Sequence, residues 1–178
     1  MIKVCSEVTL KPFLYLAAPL FSFAEKKFNE DLSRLLGKYF TVYLPQRDGG
    51  LFLDLIAKGL SRNEAARHIF SLDTRAIENS DFVLAILDGR AIDEGVAVEL
   101  GYAFALKKSC YGLQTDSRRL LPEGNNPMVT GTLTRIVETI EDLSVLCEEI
   151  VAFFRSKNLK SDRLGQTINS DEVLEKKV

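Results

Sequence analysis

"DFVLAILDGRAIDEGVAVELGYAFALKKSCYGLQT", residues 81–115, decides how the chain is read. After Phe82 come five consecutive apolar residues, closed by Asp88 and Gly89. A short apolar run between turn signals suits a strand buried on both faces. From Val96 to Leu106 the chain is again almost wholly apolar, now with helical length, and reads as a buried helix starting near Gly95. "SCYGLQT" (109–115) is a further short strand. Strand, helix and strand in that order form a crossover unit with parallel strands.

The same alternation extends outward in both directions. "PFLYLAA" (12–18) reads as a strand stopped by Pro19. In the helix that follows, "SFAEKKFNEDLSRLLGKY", Phe28, Leu32, Leu35 and Leu36 recur at helical spacing and Gly37 is the stop. "YFTVYLP" (39–45) is a strand ended by Pro45. Residues 46–61 are a polar connection with a turn at "QRDGG" and a short apolar piece, "LFLDLIAKGL". The next long helix, 61–80, has Ser61 as candidate N-cap with Glu64 at capping-box spacing. Downstream lie a long loop (116–131), a fifth strand "LTRIVET" and an amphipathic helix, 140–157. These elements predict a single three-layer α/β/α domain over 1–157, with a five-stranded parallel sheet of the flavodoxin or Rossmann kind. Residues 158–178 lose periodicity and read as a polar, mobile tail.

Composition narrows the function classes. The chain has 178 residues, 46% hydrophobic and 27% charged, with a net charge of -2, which fits one globular domain and argues against a nucleic-acid scaffold. The basic clusters at Lys26-Lys27, Lys107-Lys108 and Arg118-Arg119 read as scattered surface charge. Cys5, Cys110 and Cys147 are far apart and form no CxxC pair, so a reducing cytosol is expected. With His68 as the only histidine, no metal site is expected. No secretory leader is read, and "FLYLAAPLF" is too short to span a bilayer and is broken by Pro19.

Ligands of a parallel sheet bind outside the carboxyl ends of its strands. Three segments reach that edge: "AAPLFS", "PQRDGG" and "DGRAIDEG". None carries a dinucleotide or P-loop glycine signature. They are accompanied by carboxylates. Glu99 is the one full charge inside Val96–Leu106. On the helix it shares a face with Gly95, which leaves open space one turn below it, and with Tyr102, which can hydrogen-bond or cover it. A desolvated anion near helix amides suits a carboxylate nucleophile. Equally, Glu99 can pair with a buried Arg or Tyr and only fix packing, and the pattern leaves both open. Asp93, on the preceding loop, can approach the same cleft. Asp73 sits on the helix before the third strand, and Asp88 reads as a turn or cap residue. Acids converging on one cleft suggest glycosyl chemistry, one attacking the anomeric carbon and another serving the leaving group.

With "LYLAAPLF", then "DEGVAVELGYA", then "NPM" in the long loop, the chain resembles the nucleoside 2-deoxyribosyltransferases from about Phe13 to Leu143. The resemblance implies Glu99 as the nucleophile on C1′ of a 2′-deoxynucleoside. It implies Asp93 and Asp73 as contacts to the base and carriers of its proton, and Tyr15 as the group that orients Glu99. Gln46 and Phe21 would line the base site. Asn126 and Met128 would reach the sugar from a neighbouring subunit of a homo-oligomer. A free nucleobase completes the exchange in nucleoside salvage, with no metal or organic cofactor. Ala18 stands where the family more usually has glycine, which implies a tighter sugar pocket.

Two other readings share these residues. A hydrolase of 2′-deoxynucleosides or their 5′-monophosphates keeps Glu99, but a monophosphate needs a phosphate grip, for which Ser22 is the one candidate. A non-catalytic nucleotide sensor on the same fold gives no reason for Glu99, Asp93 and Asp73 together.

Overall fold

Strands β1 (Phe13–Ala17), β2 (Thr41–Tyr43), β3 (Phe82–Ile86), β4 (Ser109–Leu113) and β5 (Arg135–Val137) form one all-parallel sheet in the order β2-β1-β3-β4-β5. The computed structural model describes residues 11–118 and 124–174, with side chains described as far as Lys157. Cys5 and Arg119 lie outside the described residues.

Helices cover both faces. On one face, α1 (Phe23–Leu36) and α7 (Ile140–Leu174) bury Leu32, Leu36, Leu143 and Leu146 against Leu14, Leu16, Leu84 and Ile86 of the sheet. On the other, α4 (Arg62–Asn79) and α5 (Glu94–Ala105) bury Ala76, Ile77, Val96, Leu100 and Ala103 against Tyr15, Ala17, Val83 and Ala85. β1 and β3 contribute alternate residues to the two cores, as the two-residue repeat of a strand requires, and so read as continuous apolar runs. Each fully buried leucine contributes roughly 1.5–3 kcal/mol.

The long helices start where their caps dictate. Ser22 with Glu25, and Ser61 with Glu64, each form a complete capping box. Asp93 caps α5, accepting from the amides of Gly95 and Val96 at 2.9 and 3.1 Å, so this helix begins one residue before Gly95. The expected buried character of 96–106 holds on one face only. Val98 is 67% exposed and Phe104 55%, because α5 is apolar all round while only Val96, Leu100 and Ala103 meet the sheet.

Three short helices occupy segments read as turn or loop: α2 (Pro45–Asp48), α3 (Phe52–Ala57) and α6 (Pro127–Thr130). Pro45 and Pro127 open theirs, since proline at the first helical position sacrifices no intrahelical bond. The helix expected to stop at Lys157 continues to Leu174, across the span read as a polar tail. Loss of an apolar stripe does not end a helix, and 158–174 contains no proline. Among the described residues no helix is long and apolar enough to cross a membrane.

Candidate active site

The three segments expected at the carboxyl edge of the sheet meet there. Ala18, Leu20 and Phe21 follow β1, Pro45, Gln46 and Gly50 follow β2, and Asp93, Gly95 and Val96 follow β3. With Asp73 and Glu99 they line a cavity of about 350 Å³. A second hollow of about 530 Å³ opens between α4 and α5 and shares Ile69, Asp73, Gly95 and Glu99 with the first. Gly95 borders both. A Cβ there would meet Asp93 Oδ1 at 3.0 Å and nothing else within 4 Å.

Glu99 projects from the second turn of α5, and the fully buried Tyr15 of β1 donates its hydroxyl to Glu99 Oε1 at 2.6 Å. Burial, with the negative charges of Asp73 and Asp93, pushes the Glu99 carboxyl up to about 8, while the Tyr15 hydrogen bond pulls it down. Burial foremost, then the Glu99 and Asp73 charges, raises Tyr15 far beyond any working pH, so it stays a donor. Tyr102 shares the face of Glu99 but bonds Glu78 instead. Glu99 therefore has a tyrosine partner yet still borders an open cavity, a combination that a purely packed carboxylate would not need.

Asp73 comes from α4, with Ile69 and Ile77 one turn either side on the same stripe. Tyr43 donates to its Oδ1 at 3.1 Å. Burial raises the Asp73 carboxyl and the Tyr43 bond lowers it. Asp93 lines the same cavity while its Oδ1 caps α5. Three carboxylates from two helices and one cap thus border a single hollow. Among the described residues no group of three or more His, Cys, Asp and Glu is arranged to hold a metal ion.

Gln46 borders the cavity with its amide anchored on α1. Its Oε1 accepts from Asn29 Nδ2 at 3.0 Å, and its Nε2 donates to the Lys26 carbonyl at 3.0 Å. Phe21 lines the mouth and is 76% exposed. Asn126 and Met128 are not brought to Glu99 within one chain. They line a separate cavity of about 270 Å³ with Leu87, Ile92 and Ala97. Asn126 Oδ1 caps α6 through the Met128 amide at 2.9 Å, and Met128 is 81% exposed. A reciprocal amide pair, Gln114 with Asn125, holds the start of this loop at 3.1 and 2.7 Å. Asp88 accepts from Thr115 and Asp116 and joins two edge loops, as expected of a turn residue.

Two residues of the site were missed in the sequence, Tyr43 and Gly49. A Cβ on Gly49 would lie 2.9 Å from Asp73 Oδ1 and from the Pro45 carbonyl, and 3.1 Å from the Tyr43 hydroxyl. The available signal was the shared Tyr-Leu pair of "FLYLA" and "TVYLP", which in adjacent parallel strands places Tyr15 beside Tyr43.

Comparison with known proteins matches residues 14–170 to the family model described as nucleoside 2-deoxyribosyltransferase. An uncharacterized protein from Ureaplasma parvum serovar 3 is 33% identical over 114 residues, covering 59% of this chain and 71% of that protein. The solved structure of a conserved protein from Enterococcus faecalis V583 superimposes with a TM-score of 0.65 at 29% identity, covering 78% of this chain and 98% of the other. A 2-deoxyribosyltransferase from the psychrotolerant bacterium Bacillus psychrosaccharolyticus superimposes with a TM-score of 0.58 at 25% identity, covering 74% of this chain and 89% of the other.

Proposed function

The chain belongs to the nucleoside 2-deoxyribosyltransferase family, and from that membership we propose that it exchanges the nucleobase of a 2′-deoxynucleoside through a covalent deoxyribosyl–Glu99 ester. The observation that carries the reading is the Glu99 carboxylate, held by Tyr15 at 2.6 Å at the wall of a cavity shared with Asp73 and Asp93.

In the first half-reaction a Glu99 oxygen forms a bond to C1′ as the C1′–N bond to the base breaks. The departing ring nitrogen takes its proton from the Asp73–Asp93 side of the cavity. In the second, a nitrogen of an incoming base attacks C1′, the ester bond breaks, and the proton returns to the acid. Two displacements at one carbon give net retention. Gln46 and Phe21 border the base. Asn126 and Met128 lie outside the Glu99 cavity of their own chain, which supports completion of each site by a second copy. No cofactor takes part, and the setting is cytosolic nucleoside salvage.

Ser22, the candidate phosphate grip for 5′-monophosphates, is already engaged with Glu25. The Ser22 hydroxyl accepts from the Glu25 amide at 3.1 Å, and the Glu25 carboxylate accepts from the Phe21 and Ser22 amides at 3.0 and 2.6 Å. The Glu25 carboxylate thus already engages the amides that a phosphate bound at Ser22 would need.

The test is a pair of incubations, deoxyinosine alone and deoxyinosine with adenine, followed by chromatography. Deoxyadenosine with little free deoxyribose is the expected result. Equal hypoxanthine release in both tubes would make the enzyme a hydrolase, and no turnover in either would move the test to the 5′-monophosphates and, if those too stay intact, to the sensor reading.

A further inference from the structure

We propose that Tyr43 is a positioning residue for Asp73, and that Gly49 supplies the space in which the pair forms. The proposal rests on the reading of the cleft as a deoxyribosyl-transfer site, to which it adds a residue no comparison or motif assigns.

The register of β1 and β2 places Tyr15 opposite Tyr43, so both side chains leave the sheet on the face covered by α4 and α5. Their rings stack, with centroids 5.4 Å apart and an interplanar angle of 16°. Each hydroxyl then reaches one helix. Tyr15 donates to Glu99 of α5 and Tyr43 to Asp73 of α4. Neither tyrosine is among the residues that line the two hollows, whereas both carboxylates line both. The tyrosines form a floor behind the acids, so Tyr43 acts on substrate only through Asp73.

An edge strand explains a tyrosine by its β-propensity, but not the glycine beside it. Gly49 ends α2 with ordinary helical dihedrals, φ −85° and ψ −12°, so no backbone strain demands glycine there. What demands it is crowding by Asp73 Oδ1, the Pro45 carbonyl and the Tyr43 hydroxyl, all within 3.1 Å of a would-be Cβ. A carboxylate carried by a flexible helix side chain is thereby confined between one donor and one glycine. The charged and titratable groups facing this cluster are Tyr15 from β1, Asp48 from α2, and Glu94, Glu99 and the capping Asp93 from α5. All except the tyrosines are carboxylates, so among the described residues the Tyr43 hydroxyl is the group that opposes proton uptake by Asp73.

The test is Tyr43→Phe, which keeps the ring stack and removes only the donor. Two readouts are taken on the full chain: the ¹³C titration of the Asp73 carboxyl, assigned against Asp73→Asn, and the pH profile of base exchange. The expected result is a roughly three- to tenfold weaker Asp73 acid, about 0.7–1.4 kcal/mol, less than the full worth of a bond to a charged acceptor because this one is long, at 3.1 Å, and only part-buried. Exchange should show kcat down at least fivefold, its pH limb displaced upward, and the thermal midpoint lowered by no more than about 2–4 °C. An unchanged titration and an unchanged limb would overturn the proposal, and so would a uniform loss of activity at every pH with the titration unmoved. If the wild-type chain exchanges no base, the functional reading fails on that result alone, and the titration still decides whether Tyr43 governs Asp73. Gly49→Ser is the second variant. It should displace the same titration with the Tyr43 hydroxyl still present, and no displacement would count against the proposal.

Discussion

Tyr15 and Glu99, 84 positions apart, meet at 2.6 Å because β1 lies directly beneath α5. The hydroxyl is fully buried and the carboxylate reaches the cavity wall, so one end of the pair is locked and the other is available. A donor fixed by the sheet core can hold a nucleophile without competing for the substrate.

Tyr15→Phe leaves the ring and removes the donor. A hydrogen bond to a charged group is worth about 1.5–3 kcal/mol, so exchange should fall roughly 10- to 100-fold. Losing a bond that lowers the Glu99 carboxyl also moves the rising limb of the pH profile upward. Steady-state rates across pH check both statements, and a limb that stays in place would show that Tyr15 does not set the ionisation of Glu99.

Glu99→Ala should abolish turnover, by about a thousandfold or more, with nucleoside binding retained. Calorimetry measures the binding. Mass spectrometry of the wild type mixed with deoxynucleoside alone should reveal a deoxyribosyl adduct on the peptide containing Glu99. Near-full activity in the variant would remove Glu99 from the chemistry.

Glu99 also links stability to pH. Its carboxyl titrates near 8 in the folded chain against an ordinary value of 4.5. The folded state therefore holds that proton more tightly. The stabilisation is fully present below pH 4.5 and is lost as pH rises through 8. Glu99→Gln should raise the thermal midpoint at pH 8.5, with a gain in stability of up to roughly 5 kcal/mol, and should do little at pH 4. Calorimetric scans at the two pH values decide it.

Ser22 and Glu25 lead to a prediction about substrate. With the Phe21 and Ser22 amides engaged by the Glu25 carboxylate, deoxyinosine 5′-monophosphate should turn over at least tenfold more slowly than deoxyinosine. Parallel assays measure the ratio, and equal rates would require a phosphate grip elsewhere.

The sheet was legible because its central strands are buried on both faces and leave unbroken apolar runs such as "FLYLA" and "FVLAI". Ser61 with Glu64 marked the start of α4 for an equally local reason. The four-residue α2 and six-residue α3 escaped because neither is long enough to display a period. The exposed side of α5 escaped because a helix apolar all round does not declare which face meets the sheet. In the cleft, the acids stood out as charges in apolar surroundings. Tyr43 did not, since a tyrosine on an edge strand is ordinary. Gly49 lay inside a glycine pair that already read as a turn, and its role depends on a carboxylate 24 positions later.

The order of the strands also bears on how the chain is made. β2 can close one flank of β1 early, but the other flank waits for β3, whose first paired residue, Phe82, lies opposite Leu14. Ribosomes add about 5–20 residues per second, so that flank of "FLYLA" stays unpaired for several seconds on every polypeptide synthesised. An apolar strand with a free edge is a template for pairing with another nascent chain. The arrangement that brings Tyr15 under Glu99 therefore leaves the newborn protein most in need of a chaperone at its first strand.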